Sequence, residues 1–206
     1  MRIDRIEASR HKKGRVLVFL EDGACLKITE QELLDFGLRS GDELSSVQLK
    51  KLKEAAGLSD TKAAAADLIG KRAMSRASLE KKLREKGASE AEARYAGEWL
   101  EAIGALNDAE YAAILARHYG QMGYGPRYVQ EKLREKGVPR ELWDEALAQL
   151  PPAADAVRKV VAARLRGRPM TQEDSRKLAA ALQRRGFSWN DIRPVLNEWG
   201  QEIDET

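Results

Sequence analysis

The residues best suited to chemistry in this chain are arginines and lysines near its C-terminal end. Residues 155–193 carry ten basic and four acidic side chains, and Arg164, Arg166 and Arg168 stand at alternate positions. The planar guanidinium group of arginine donates two parallel hydrogen bonds to a phosphate or a carboxylate. The cluster therefore favours contact with nucleic-acid phosphates or with an acidic protein surface. A solvated helix face that offsets the helix dipole is the alternative.

Basic residues elsewhere extend this candidate surface. Three of them precede the first repeated motif described below, and Arg127 follows a glycine-rich segment at 120–125, where simple solvation also explains it. Tyrosines at 119, 124 and 128 surround that segment and are weaker candidates for base stacking or protein contact. The candidate contact residues are Lys71, Arg72, Arg76, Arg127, Arg158, Lys159, Arg164, Arg166, Arg168, Arg184 and Arg185.

The sequence does not indicate catalytic or metal-binding residues. His118 stands near the end of a predicted helix, where packing or a favourable terminal charge explains it better than catalysis does. His11 falls in a basic turn and is expected to be solvated. Cys25 is the only cysteine, and no motif pairs it with a histidine. Two histidines and one cysteine do not match a structural zinc site. Since no nucleophile–base or metal constellation appears in the sequence, we expect no metal, no cofactor and no enzyme activity.

Composition places the chain among helical proteins with a charged exterior. Hydrophobic residues make up 43% and charged residues 33% of the sequence, a mixture typical of helices with one buried stripe. The net charge of +3 does not by itself argue for nucleic acid. No apolar run approaches the ~18 residues of a membrane span. The first residues lack the apolar core of a signal peptide. We therefore expect a cytoplasmic protein that has no contact with membranes.

A repeated pentapeptide organises most of the chain. Leu-Arg-Glu-Lys-Gly occurs at Leu83–Gly87 and again at Leu133–Gly137, and a degenerate copy stands at Leu182–Gly186. A period of about fifty residues predicts a repeat architecture. The leucine is expected to fill the core of each repeat. The glycine is expected to take a positive φ and to end a helix.

These patterns predict a mainly α fold. Three tandem three-helix repeats are expected to form an elongated array, preceded by a small N-terminal antiparallel β element with strands at Arg2–Ala8, Arg15–Leu20 and Ala24–Ile28. A helix over 44–56 is expected to end at Gly57, and a separate one to begin at Thr61. The predicted domains are 1–58 (β-meander plus helices), 59–104 (repeat 1), 105–151 (repeat 2) and 152–206 (repeat 3 with an acidic tail).

Three longer stretches resemble one known family. They are ADLIGKRAMSRASLEKKLREKG from Ala66, WLEAIGALNDAEYA from Trp99, and GYGPRYVQEKLREKGV from Gly123. Together they are similar to the bacterial RecX family, and the resemblance covers about residues 60–200. One departure is Ser78, which stands where the family usually has an acid. A reciprocal capping box from Ser75 is therefore expected to be lost.

The resemblance implies a regulatory function. RecX-like proteins bind the RecA recombinase and its filament on single-stranded DNA, and they inhibit recombination and the filament's coprotease role in the SOS response. The expected partners are thus RecA and its filament, with single-stranded DNA as a further direct partner, and a monomer is the simplest state. The alternative is a general nucleic-acid-binding helical repeat module that acts independently of RecA.

Overall fold

The computed structural model describes residues 1–10 and 12–201. The chain forms two compact units, one from Met1–Arg72 with Leu79–Leu106 and one from Ala73–Ser78 with the chain from Asn107 onward. The fold is mainly helical with a small N-terminal antiparallel sheet, which confirms the predicted fold class. The elongated arrangement stays a prediction. His11 and the acidic residues of the tail after residue 201 lie outside the described part of the chain.

The N-terminal sheet contains β1 (Ile3–Ala8), β2 (Arg15–Leu20) and β3 (Cys25–Thr29) in antiparallel order β1-β2-β3. Alternate residues of β2 are buried, as expected when one face of a sheet packs on helices. They join Ile3 and Ile28 in an apolar core with Leu52, which lies on the second helix after the sheet. The predicted meander is confirmed, with each strand end within one residue of its expected position.

The helices that follow the sheet differ from the prediction at one point. They are α1 (Glu30–Asp35), α2 (Ser46–Lys71), α3 (Arg76–Glu85) and α4 (Glu90–Ala102). Since α2 is a single continuous helix, the prediction that Gly57 ends it and that a separate helix begins at Thr61 is wrong. The same helix crosses the boundary placed between residues 58 and 59.

Tertiary packing explains why α2 continues through Gly57. Leu52 and Ala56 are buried before the glycine, and Thr61 and Ala65 are buried after it, so the helix is packed on both sides of Gly57. Arg15 of β2 places its Nη2 3.0 Å from Oδ1 of Asp60, which ties the turn after the glycine to the sheet. Together these contacts outweigh the roughly 1 kcal/mol that glycine costs in a helix interior.

The second unit contains the remaining helices. They are α5 (Asp108–Gln121), α6 (Pro126–Glu135), a 3₁₀ turn (Arg140–Leu142) that leads into α7 (Trp143–Leu147), α8 (Ala153–Leu165), α9 (Gln172–Arg184) and α10 (Trp189–Gln201). One apolar cluster surrounds Leu133 and another surrounds Leu182. The division of the chain into four domains stays a prediction. Within the described residues, no helix has both the length and the apolar character needed to cross a bilayer.

Each pentapeptide ends a helix as predicted. Its leucine is at most 1% exposed in all three copies, at Leu83, Leu133 and Leu182. The glycines adopt φ values of +98°, +68° and +87°, at Gly87, Gly137 and Gly186. Only glycine adopts this left-handed conformation without strain, which explains the fifth letter of the motif.

The first joint between pentapeptide helices connects the start of α3 to the end of α6. The hydroxyls of Ser75 and Ser78 both donate to the backbone oxygen of Lys136, the second at 2.9 Å. The Ser75 oxygen also accepts the Ser78 N–H at 3.1 Å, which caps α3. The Ser78 hydroxyl thus serves Lys136 instead of completing a reciprocal capping box.

The second joint connects the start of α6 to the end of α9, but it uses the backbone. The N–H of Gly125 donates to the carbonyl of Arg185 at 2.7 Å, and the N–H of Arg127 donates to the carbonyl of Gly186 at 3.1 Å. A Cβ at Gly125 would lie 2.7 Å from the carbonyl group of Gly186. The close approach of the two backbones therefore requires glycine at position 125.

Candidate functional site

A groove of about 1240 Å³ opens within the second unit. Its walls are the C-terminal end of α5, the segment 149–151, and the facing sides of α8 and α9. Small and aliphatic residues line much of it, namely Ala156, Val160, Ala163, Leu178 and Ala181. Because α8 contributes at positions 156, 160 and 163, one face of that helix is turned to the groove along two turns.

Four cations in the groove wall are free of ion pairs within the described residues: Arg117, Lys159, Arg164 and Arg184. All four side chains are exposed. A fifth, Lys177, contacts Glu173 at 2.7 Å. The four uncompensated cations make the groove strongly electropositive, because a cleft lined by charges of one sign concentrates their field.

The acids in the groove wall are each paired with an arginine. Asp174 accepts two hydrogen bonds from the guanidinium of Arg168, at 2.7 and 2.8 Å. These bonds, with further ones from Thr171, hold the pKa of Asp174 well below its ordinary value of 3.8. Asp155 pairs with Arg158 at 2.9 Å. Asp174 is therefore neutralised, whereas Asp155 shares its arginine with Glu198 and offsets part of the field of the four free cations.

One end of the groove is braced by Arg185. Its Nη1 donates to the backbone oxygens of Met122 and Gly123, at 3.0 and 3.1 Å. Its guanidinium also lies 5.4 Å from the ring centroid of Tyr124. This side chain fixes the 120–125 segment against the end of α9 and so holds the groove wall in place.

The three tyrosines around that segment pack on one another. The rings of Tyr124 and Tyr128 are stacked at 4.0 Å, and Tyr119 meets both edge-on, at 6.0 and 5.4 Å. Burial raises the pKa of Tyr128. Because their faces are used for mutual packing, a structural role explains these residues better than base stacking does.

The described residues contain no group of three or more histidine, cysteine, aspartate or glutamate side chains that could hold a metal ion. Cys25 is exposed on β3. His118 is exposed near the end of α5, and its ring lies 5.1 Å from that of Tyr119.

Comparison with known proteins points to one family. Models of the second and third three-helix domains of RecX match residues 107–147 and 153–196. A crystal structure of regulatory protein RecX superposes with a TM-score of 0.74 at 25% identity, covering 95% of this chain and 98% of that one. These matches support assignment to the RecX family. RecX from Lactobacillus salivarius shares the fold, with a TM-score of 0.64 at 21% identity over 71% of this chain and 99% of that one.

Relatives in the RecX family match along nearly the whole chain. Regulatory protein RecX of Bacillus licheniformis is 26% identical over 98% of this chain and 79% of its own length. The Clostridioides difficile protein of that name is 24% identical over 95% of this chain and 94% of its own length. These relatives are named as regulatory proteins and not as enzymes.

The structure distributes the predicted contact residues among different environments. Those that line the groove are Lys159, Arg164, Arg184 and Arg185. The predicted arginine cluster is divided, because Arg164 lines the groove, Arg168 binds Asp174, and Arg166 ends α8 with a left-handed φ of 52°. Arg158 is held by Glu198 through two hydrogen bonds, at 2.8 and 2.9 Å.

The other predicted residues lie outside the groove. Lys71 ends α2 in the first unit and pairs with Asp67 at 2.7 Å, and Arg72 follows it with an exposed side chain. The amide of Arg76 donates to Asp108 at 2.8 Å. The Arg127 side chain is exposed on α6 while its amide serves the second joint.

Sequence reasoning missed part of the groove. Arg117 and Met122 lie at the end of α5 and just after it, far in sequence from the basic third repeat. The apolar lining of α8 carried a signal, since Ala156, Val160 and Ala163 recur at helical spacing. That signal was not separable from ordinary core packing, because the opposite face of α8 is also apolar.

Proposed function

We propose that this RecX-family chain is a regulatory protein that binds RecA and its filament on single-stranded DNA and inhibits recombinase and coprotease activity. It would thereby modulate DNA repair, acting as a monomer in the cytoplasm. The observation that carries the proposal is the match to proteins named regulatory protein RecX along 98% of the chain. The electropositive groove supports it, since both an acidic protein surface and a DNA backbone are suitable partners for free cations.

ATP hydrolysis by RecA on single-stranded DNA tests this proposal. Addition of the chain in amounts near those of RecA is expected to suppress most of the hydrolysis, because a chain bound to the filament limits the growth of the active form. Strand exchange should fall in parallel. Unchanged hydrolysis at equal concentrations of the two proteins would contradict the proposal.

A general nucleic-acid-binding module is the second candidate function. The four free cations of the groove favour it, because phosphate contacts need nothing more than positive charge. If all four contact phosphates, the logarithm of the affinity for single-stranded DNA should fall with the logarithm of salt concentration with a slope of about −3. Steep salt dependence together with no effect on RecA would select this candidate over the first.

A further inference from the structure

We propose that the groove between α8, α9 and the end of α5 binds an acidic amphipathic helical segment of a protein partner. Apolar side chains of that segment would enter between α8 and α9, and its carboxylates would meet the cations of the groove wall. The inference rests on the proposed function in taking RecA as the protein that carries the segment. It adds the surface that holds the segment and the chemical class of the segment.

The apolar lining argues for a partner with apolar side chains. Ala156, Val160 and Ala163 repeat along α8 with a spacing of three to four residues, and they pass from buried through half-buried to exposed. A helix that places its own apolar residues at the same spacing would pack into such a surface. The volume of about 1240 Å³ exceeds the ~300–1,000 Å³ typical of small-molecule sites.

The charges argue for an acidic partner. Arg117, Lys159, Arg164 and Arg184 bring four cations to the groove wall without ion pairs in the described chain. The two wall acids oppose only part of this field, because Arg168 neutralises Asp174 and Arg158 pairs with Asp155 as well as with Glu198. Charge complementarity at an interface rim directs partner choice and speeds association, so carboxylates flanking the apolar stripe are the expected complement.

The lining also favours a peptide over a DNA strand. Grooves that hold single-stranded DNA commonly present aromatic side chains on which bases stack. Among the described residues that line this groove, none is aromatic. Instead it presents Met122, which is 51% exposed and whose flexible thioether adapts to apolar side chains of different shape.

The test compares two triple variants of the full chain. The groove variant is Lys159→Glu, Arg164→Glu and Arg184→Glu. The matched control is Arg140→Glu, Arg176→Glu and Arg193→Glu, which changes the net charge equally at exposed positions of the same unit outside the groove lining. Circular dichroism establishes that both are folded. A single variant, Ala163→Glu, adds bulk and one carboxylate inside the groove without removing a cation.

Binding is measured to three probes: RecA without DNA, a thirty-residue oligothymidylate, and a synthetic eighteen-residue helical peptide with leucines at helical spacing and glutamates elsewhere. The groove variant and Ala163→Glu are expected to weaken binding to RecA and to the peptide by about tenfold or more, while the control does not. The oligothymidylate should respond equally to the two triple variants.

The outcomes separate the two proposals. If the groove variant binds RecA as the native chain does, the groove inference fails and the proposed function stands. If the native chain binds the peptide through the groove but does not bind RecA, the proposed function fails and the groove inference stands as a peptide site. Selective loss of oligothymidylate binding in the groove variant would overturn the inference in favour of a DNA channel.

Discussion

The two joints between pentapeptide helices perform one task with different chemistry. In the first joint, the hydroxyls of Ser75 and Ser78 bind the carbonyl of Lys136. In the second, the backbone amides of Gly125 and Arg127 bind the carbonyls of Arg185 and Gly186. Both satisfy carbonyls that a helix end leaves without an intrahelical partner. Ser75 and Gly125 stand at the same position relative to their pentapeptides, so in these two joints a hydroxyl and a backbone amide do the same work.

The closeness of approach also differs between the joints. A Cβ at Gly137 in the first joint would lie 2.8 Å from the Cβ of Ala77, which is a side-chain atom. A Cβ at Gly186 in the second joint would lie 2.7 Å from the Cβ of Tyr128 and would also collide with its backbone nitrogen. The Cβ of Ala77 and the backbone of Tyr128 are both fixed by the main chain, but the approach to the Tyr128 nitrogen is the closer one, so the second joint is the less forgiving of the two.

The largest expected effect comes from replacing the pentapeptide glycines with alanine. Gly186→Ala should lower the free energy of unfolding by about 3 kcal/mol or more, because left-handed strain of ~1–2 kcal/mol adds to an overpacking cost of ~1–3 kcal/mol. Gly137→Ala carries the same left-handed strain, but its closest contact, at 2.8 Å, is the longer of the two, so it should cost about 2 kcal/mol, at the lower end of the same range. Urea unfolding followed by tryptophan fluorescence measures both.

Gly87→Ala supplies the control for this series. Its φ is +98°, but nothing lies within 4 Å of an added Cβ, so only backbone strain of ~1–2 kcal/mol is expected. Adding Ala77→Gly to Gly137→Ala should recover part of the loss by removing the facing methyl group. Equal losses in all three glycine variants would mean that the close approaches at the joints contribute nothing.

An intermediate effect is expected from the hydroxyls of the first joint. Ser75→Ala removes both the cap of α3 and one bond to Lys136, so it should cost about 1–2 kcal/mol. Ser78→Ala removes only the bond to Lys136 and should cost about 0.5–1 kcal/mol. If Ser78→Ala lowers the free energy of unfolding more than Ser75→Ala does, the cap of α3 does not make the larger contribution assigned to it here.

The smallest effect is expected at the start of α9, where the cap is made within the repeat itself. There Thr171 and Asp174 form a capping box, and Arg168 binds the same carboxylate. The pKa of Asp174 is lowered, so its contribution to stability is complete above its ordinary value of 3.8 and is lost as pH falls through the folded-state pKa.

Carbon-detected NMR titration measures this shift directly. In the native chain Asp174 should stay ionised well below the pH at which an unperturbed aspartate protonates. Arg168→Ala should move the pKa of Asp174 upward, because the hydrogen bonds from Arg168 are the largest cause of the lowered pKa. The bonds from Thr171 persist in this variant. Unfolding free energy near pH 7 should change less than in any variant of either joint.

Local signals predicted the helix ends but not the groove. Gly87, Gly137 and Gly186 were predicted from sequence because a glycine after a helical stripe has one dominant conformational use. The prediction at Gly57 was wrong because a tertiary contact overrides the local signal: the helix is held by Arg15, from a strand more than forty residues away. The groove depends on which cations stay free, and the capture of Arg168 by Asp174 is a tertiary event.

Arg185 is shared between the groove and the second joint. Its side chain holds the 120–125 segment at the groove wall, and its carbonyl receives the Gly125 amide. A displacement of Arg185 would therefore alter the width of the groove and the contact between α6 and α9 together. A substitution at position 185 would thus change the fit of a ligand and the rigidity of the helix contact at once, and neither property can be altered there alone.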